Sequence, residues 1–231
     1  MQALIAADGR GYVTAAAVNL VMSAREDPQT LAAVLGATLA VPDGQPLVWA
    51  LRALGHAGAT RVYGPDLMAH FCARAARTGT PIYLYGGRTP EALALLEARL
   101  LERFPGLRIA GGFSPPFREL SAEEERDVVA AIDASGAQVV WVGTGQPKQE
   151  KWMLAMRPRL SAPLLVGVGA AFDFHAGLVS QAPAWMQRNG LEWLYRLSRE
   201  PRRLWRRYAR YNPLFVAGFA RQYVRHLRGR H

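Results

Sequence analysis

The 231-residue chain has a single cysteine, Cys72, so no intrachain disulfide can form and packing must hold the fold. One thiol is compatible with the cytosol. Lysine is nearly as scarce. Lys148 and Lys151 are the only two among 28 basic residues, and arginine carries the rest of the positive charge. No uncharged apolar run reaches the roughly 18–20 residues that a bilayer-spanning helix needs, so any membrane contact is expected to be peripheral. Met1–Arg10 has an acid and a base early and no long apolar stretch, so no signal peptide is expected there. A Walker A loop is missing, as is a Gly-x-Gly-x-x-Gly with an acid about 20 residues on, which argues against a P-loop NTPase and an NAD-type oxidoreductase. There is no Cys/His cluster and no Asp-x-Asp, so neither a metal site nor a cofactor is expected.

What is present is unevenly distributed. Residues 188–231 hold 12 arginines and two acids, Glu192 and Glu200, which accounts for the whole net charge of +10. Residues 1–187 are neutral. A protein that coats nucleic acid with a uniformly basic surface is thereby disfavoured, and a neutral catalytic or binding domain (1–187) with a basic appendage (188–231) is favoured. Half the residues are hydrophobic and a fifth are charged, the balance of a folded domain rather than a disordered chain.

Short apolar runs at 38–42, 82–85, 107–110, 138–142 and 164–168 read as strands, the first running into Asp43-Gly44 and the others ending at glycine. Between them lie helical stretches: Ala15–Arg25, Pro46–Leu54, Pro65–Arg77, Pro90–Phe104 and Ser121–Ala134. Thr89-Pro90 is a good helix start, and Ser121 with Glu124 forms a capping-box pattern. The alternation predicts an α/β fold with a mostly parallel sheet and helices on both faces. Ligands of such sheets bind beyond the carboxyl ends of the strands, so the post-strand loops are where chemistry is expected.

Asp43-Gly44 is either a plain turn or a strand-end carboxylate available as a general base. Arg61 is either a surface group or a bidentate clamp for phosphate or carboxylate. Residues 143–150, Gly-Thr-Gly-Gln-Pro-Lys-Gln-Glu, form a strand-to-helix turn whose free N–H groups and Lys148 could also face an anion. Residues 167–177 hold Asp173 and His175 among small residues: a tight loop with a capping Asp, or a nucleotide or sugar seat. Cys72, in mid-helix, reads as packing. In the tail, Leu197, Leu204, Trp205, Tyr208, Tyr211, Phe215 and Phe219 recur at about helical spacing with arginines between them. Pro201 and Pro213 are expected to divide it into short helices. That pattern fits an anionic membrane surface, a helix packed on the core, or nucleic acid.

Several blocks together resemble the WecG/TagA/CpsF family of bacterial glycosyltransferases, over about Val13 to Phe215. They are Val18-Asn19-Leu20, Asp43-Gly44-Gln45-Pro46, Arg61–Leu67, Gly145–Glu150, Gly167–Gly177, Ala182-Pro183-x-Trp185, Gly190–Trp193, Arg196-Leu197 and Glu200–Arg203. The family usually has Thr where this chain has Ala17 and Arg where it has Gln181.

The resemblance implies a Rossmann-like core. It also implies inverting transfer of a hexose-type sugar from a UDP-sugar to a polyprenyl-diphosphate-linked saccharide at the cytoplasmic membrane face. The sugar would be N-acetylmannosamine, its uronic acid, glucose or glucuronic acid. On that reading Asp43 is the base, and Asn19, Arg61 and Gln149 are donor contacts. Gly86, Glu150 and Asp173 are further candidate substrate contacts in the post-strand loops. Lys148, Arg196, Arg202 and Arg203 join Arg61 as candidate stabilisers of the departing diphosphate. The partners implied are the donor, the lipid-linked acceptor and an anionic membrane surface, without nucleic acid. The rival reading is an Arg-tailed nucleotide- or nucleic-acid-binding protein without transferase activity.

Overall fold

The structure is a computed structural model that describes residues 1, 5 and 9–229. The expectation for Met1–Arg10 falls largely outside those residues. The chain runs β1 (Gly11–Ala16), α1 (Val18–Glu26), α2 (Pro28–Leu35), β2 (Leu39–Pro42), α3 (Gln45–Ala53) and α4 (Gly64–Thr78). It continues through β3 (Ile82–Gly86), α5 (Pro90–Arg103), β4 (Ile109–Phe113), α6 (Ala122–Ala134), β5 (Val139–Gly143), α7 (Lys148–Met156) and β6 (Leu164–Gly167). Four helices follow: α8 (Ala171–His175), α9 (Ala184–Arg188), α10 (Glu192–Arg199) and α11 (Pro201–Arg228).

The six strands form one sheet in the order β2-β1-β6-β5-β3-β4, and every pairing is parallel. This is an α/β, Rossmann-like fold. Side chains on β3, β5 and β6 alternate between two cores. Ile82, Leu84, Trp141 and Val166 face one apolar cluster with Met68 and Phe71 of α4 and Leu96 of α5. Tyr83, Tyr85, Val140 and Leu165 face the other with Val128 and Ile132 of α6 and Met153 of α7. Burial on both faces is why these strands read as continuous apolar runs. Cys72 is buried in the first cluster, and burial pushes its thiol up to about 12, so it is a packing residue. Thr89 caps α5 through its hydroxyl, and the Ser121–Glu124 capping box is formed at α6.

Three expectations are corrected. Residues 11–16 form a fully buried strand between β2 and β6, and the helix assigned from Ala15 begins at Val18. The three alanines at 15–17 favour helix locally, but pairing on both sides of β1 outweighs that preference. Strand β4 does not stop at Gly111 but passes through Gly111-Gly112 to Phe113. A Cβ on Gly111 would lie 2.8 Å from the Tyr83 ring, so this glycine serves a close strand–ring approach rather than a turn. Finally, Pro201 opens α11, but Pro213 does not interrupt it. Pro213 and the Ala209 carbonyl it leaves without a helical partner lie on the exposed side, where water can satisfy the carbonyl.

The basic tail is folded onto the core. Leu204 is buried, and Phe215 packs on Ala16, Leu20 and Leu47. Arg210 pairs with Glu26 of α1 at 3.0 Å, and the Tyr211 hydroxyl donates to the same carboxylate at 3.1 Å. The change in charge at Gln187/Arg188 falls inside α9. No described helix is long and apolar enough to cross a membrane.

Candidate active site

A parallel sheet places all its carboxyl ends on one edge, and there the structure opens a cleft of about 1530 Å³. Its walls include Asn19 after β1, Asp43 after β2, Arg88 after β3, Lys148 after β5 and Asp173 after β6. Helices α10 and α11 close it from above with Glu192, Arg196, Arg203, Arg207 and Tyr208.

Asp43 is held at the end of β2 by its own backbone, whose N–H donates to the Ala16 carbonyl at 2.8 Å. Its Oδ1 accepts the Gly64 N–H at 3.1 Å. The residue keeps partial exposure to the cleft, while dense protein around the carboxyl group strips most of its hydration. That desolvation, reinforced by the negative charge of Glu192, raises its pKa to about 7 against the opposing pull of Arg61, the Gly64 N–H and Arg196.

Arg61 spends its donors on the protein. Its Nε bonds the Asp43 backbone carbonyl, one terminal nitrogen reaches Gln187 Oε1 at 3.2 Å, and the other pairs with Glu192 Oε2 at 2.5 Å. The guanidinium also lies 4.1 Å from the centre of the Tyr63 ring. Arg61 therefore ties the Asp43 loop to α9 and α10.

The arginines above the cleft are differently placed. Among the described residues, the buried Nε–H groups of Arg196 and Arg207 have no hydrogen-bond partner. Burial, followed among the opposing charges by Arg196 and Arg203, holds Arg207 below its ordinary pKa although Tyr208 pulls the other way. Arg203 pairs with Glu200. Arg196, Arg203 and Arg207 thus stand together on the wall that α10 and α11 give the cleft. Arg88 makes a two-nitrogen contact with Asp173, at 2.8–3.1 Å, and reaches Glu200 at 3.3 Å. It thus fastens the β6 loop to the start of α11.

The structure brings Asn19, Asp43, Arg61, Lys148, Asp173, Arg196 and Arg203 to the cleft, and leaves Gly86, Gln149, Glu150 and Arg202 off its walls. Gln149 and Glu150 are fully buried beneath it. Glu150 Oε1 accepts from the Thr14 hydroxyl at 2.7 Å and from Gln149 Nε2 at 2.8 Å, and Gln149 Oε1 accepts the Gly169 N–H at 2.9 Å. This chain of bonds pins the β6 loop from below. Gly86 has φ +144°, and a Cβ there would lie 2.8 Å from the Gly143 backbone, so it serves the β3–β5 approach. Among the described residues no three of His, Cys, Asp and Glu stand together as a metal-binding group.

The sequence matches the family model described as the glycosyl transferase WecG/TagA/CpsF family over residues 1–229. The chain belongs to this family. It is therefore a bacterial glycosyltransferase of cell-surface polymer synthesis, taking a sugar donor and an acceptor.

For a glycosyltransferase the cleft offers one carboxylate near neutrality and an arginine wall on the same side. Sequence reasoning missed Glu192, Gln187, Arg88 and Arg207 as parts of this site. Glu192 lay within the Gly190–Trp193 block without a role of its own, and Arg207 was one of 12 tail arginines with nothing local to set it apart. It also missed the aromatic floor, where Tyr85 stacks on Trp152 with ring centres 3.9 Å apart. Burial pushes the Tyr85 hydroxyl up to about 12.

Proposed function

We propose that this glycosyltransferase moves a hexose-type sugar from a UDP-sugar to a polyprenyl-diphosphate-linked saccharide, with inversion at the anomeric carbon. The observation that carries the reading is the Asp43 carboxyl group, open to the cleft, with a pKa of about 7, beneath an arginine wall. Inversion needs one base to take the acceptor hydroxyl proton as oxygen attacks, and a base titrating near the working pH is best suited to that. Asp43 supplies it. The departing UDP diphosphate needs fixed positive charge, which Arg196, Arg203 and Arg207 supply from α10 and α11 and Lys148 from the start of α7. Asn19 and Asp173 are donor contacts. Arg61, occupied by Glu192 and Gln187, acts by holding the Asp43 loop.

Residues 188–231 serve as a lid and a membrane foot on the 1–187 core. Trp205, Leu214 and Val216 are exposed on α11 beside its arginines, as at an anionic interface. Phe215, Val216 and Phe219 continue the cleft wall toward this face, offering the acceptor's prenyl chain an apolar way in. A panel of UDP-sugars with a short-chain polyprenyl-diphosphate saccharide tests the proposal. One donor should yield UDP and a product of inverted anomeric configuration by NMR. A product with retained configuration, or no transfer from any UDP-sugar, would sink it.

A further inference from the structure

We propose that Glu192 is a positioning residue for the transfer step: it holds the Arg61 guanidinium away from the Asp43 carboxylate and so keeps that carboxylate free to act as a base. The inference rests on Asp43 being the base. Arg61 lies beside Asp43 yet meets its backbone carbonyl, while the hydrogen bond recorded to the Asp43 carboxylate comes from the Gly64 N–H at 3.1 Å. A guanidinium this close to a carboxylate ordinarily forms a bidentate pair with it, which stabilises the charged form and weakens it as a base. Here a second carboxylate has taken that partner.

The pair is sheltered. Side-chain exposure is 16% for Arg61 and 18% for Glu192, so water screens it poorly. Gln187 Oε1 holds another Arg61 nitrogen, and Gln187 is itself fixed by donating to the Ala182 carbonyl at 2.8 Å. Glu192 is the first residue of α10, and the turn that delivers it is tightly specified. Gly190 has φ +67°, and a Cβ there would lie 2.8 Å from the Trp49 ring. The segment that brings the arginine wall over the cleft thus also brings the charge that frees the base.

The charged and titratable groups facing Asp43 are Arg61 and Tyr63 from the loop before α4, and Glu192 and Arg196 from α10. Replacing Glu192 by a neutral side chain leaves two cations facing Asp43 with no opposing anion. Arg61 then either turns onto the carboxylate or acts on it through space. Both lower the pKa of Asp43.

The test is the pH profile of kcat/KM for the full chain with its UDP-sugar and lipid-diphosphate acceptor, alongside UDP binding. Glu192→Gln should move the acidic limb down by about 1–3 pH units, since a charged partner is then uncompensated. It should also lower the plateau about tenfold as the base weakens. UDP affinity should stay within about twofold of the parent, the range expected where no contact to the ligand is altered. Glu192→Asp should retain the parent limb. The Arg61→Gln, Glu192→Gln double variant, which leaves Arg196 as the one cation of the pair still facing Asp43, should move the limb back up toward the parent value. A limb unmoved in Glu192→Gln, or identical in the single and double variants, overturns the inference. If Glu192→Gln does not fold, Glu192→Ala takes its place, with the same downward limb shift expected and an unmoved limb overturning the inference. Substantial turnover by Asp43→Asn would instead overturn the reading of Asp43 as base, which separates the two failures.

Discussion

Asp43 shows how the environment proposed to make a residue a base also costs stability. Its carboxyl titrates near 7 in the folded protein, against about 3.9 for an ordinary aspartate. Between those values the folded state holds a proton that the unfolded chain has released, so stability falls as pH rises through this window and levels off above it. Asp43→Asn keeps an oxygen for the Gly64 N–H but never ionises. Its melting temperature should exceed that of the parent at pH 8, and the difference should vanish toward pH 4; differential scanning calorimetry at the two pH values checks this. Gln149 and Glu150 give the complementary lesson. Their motif was legible, but as contacts to substrate. The structure uses them one layer down, where Thr14, distant in sequence, completes the chain of bonds to Gly169. No local pattern separates a side chain that touches a ligand from one that holds the loop that does.

At the scale of elements, the strands buried on both faces were legible because a continuous apolar run ending at glycine has few other uses. β1 was not, since Ala15–Ala17 has the composition of a helix and only its neighbours β2 and β6 make it a strand. Helix α11 was misjudged in the opposite direction. Its proline looked like a break, but the lost N–H falls on the wet side and the helix runs on for 28 residues. α11 buries Leu204, 1% exposed, packs Phe215 on the Ala16–Leu20–Leu47 cluster and bonds Glu26 through Arg210 and Tyr211. Leu204→Ala should cost about 2–5 kcal/mol of the free energy holding this buried contact. The expected readout is faster hydrogen exchange in α10 and α11 with β3, β5 and β6 still protected. Uniform loss of protection across the sheet would show that tail and core unfold as one unit.

Taken whole, the molecule is a neutral α/β core capped by a segment carrying all the net charge. That division was plain from counting residues. Which arginines face the cleft and which face outward was not, because the choice depends on how α10 and α11 cross the sheet edge. Arg196, Arg203 and Arg207 line the cleft, whereas Arg206, Arg221 and Arg225 lie exposed outside it. Removing the whole tail would dismantle the Arg61–Glu192 pair, so charge reversal of the outer set is the cleaner probe of membrane binding. Arg206, Arg221 and Arg225 changed together to Glu should abolish flotation with phosphatidylglycerol vesicles, and salt should weaken the parent's binding, as the screening length falls from about 30 Å at 0.01 M to about 8 Å at 0.15 M. Unchanged flotation would refute the membrane foot. The central claim is that Asp43 takes the acceptor proton in sugar transfer. Its most direct test is single-turnover transfer by Asp43→Asn with saturating donor and acceptor, next to UDP binding by calorimetry. The account predicts a fall of about 10²–10⁴-fold in the transfer rate with UDP affinity preserved. Transfer at near the parental rate would contradict it.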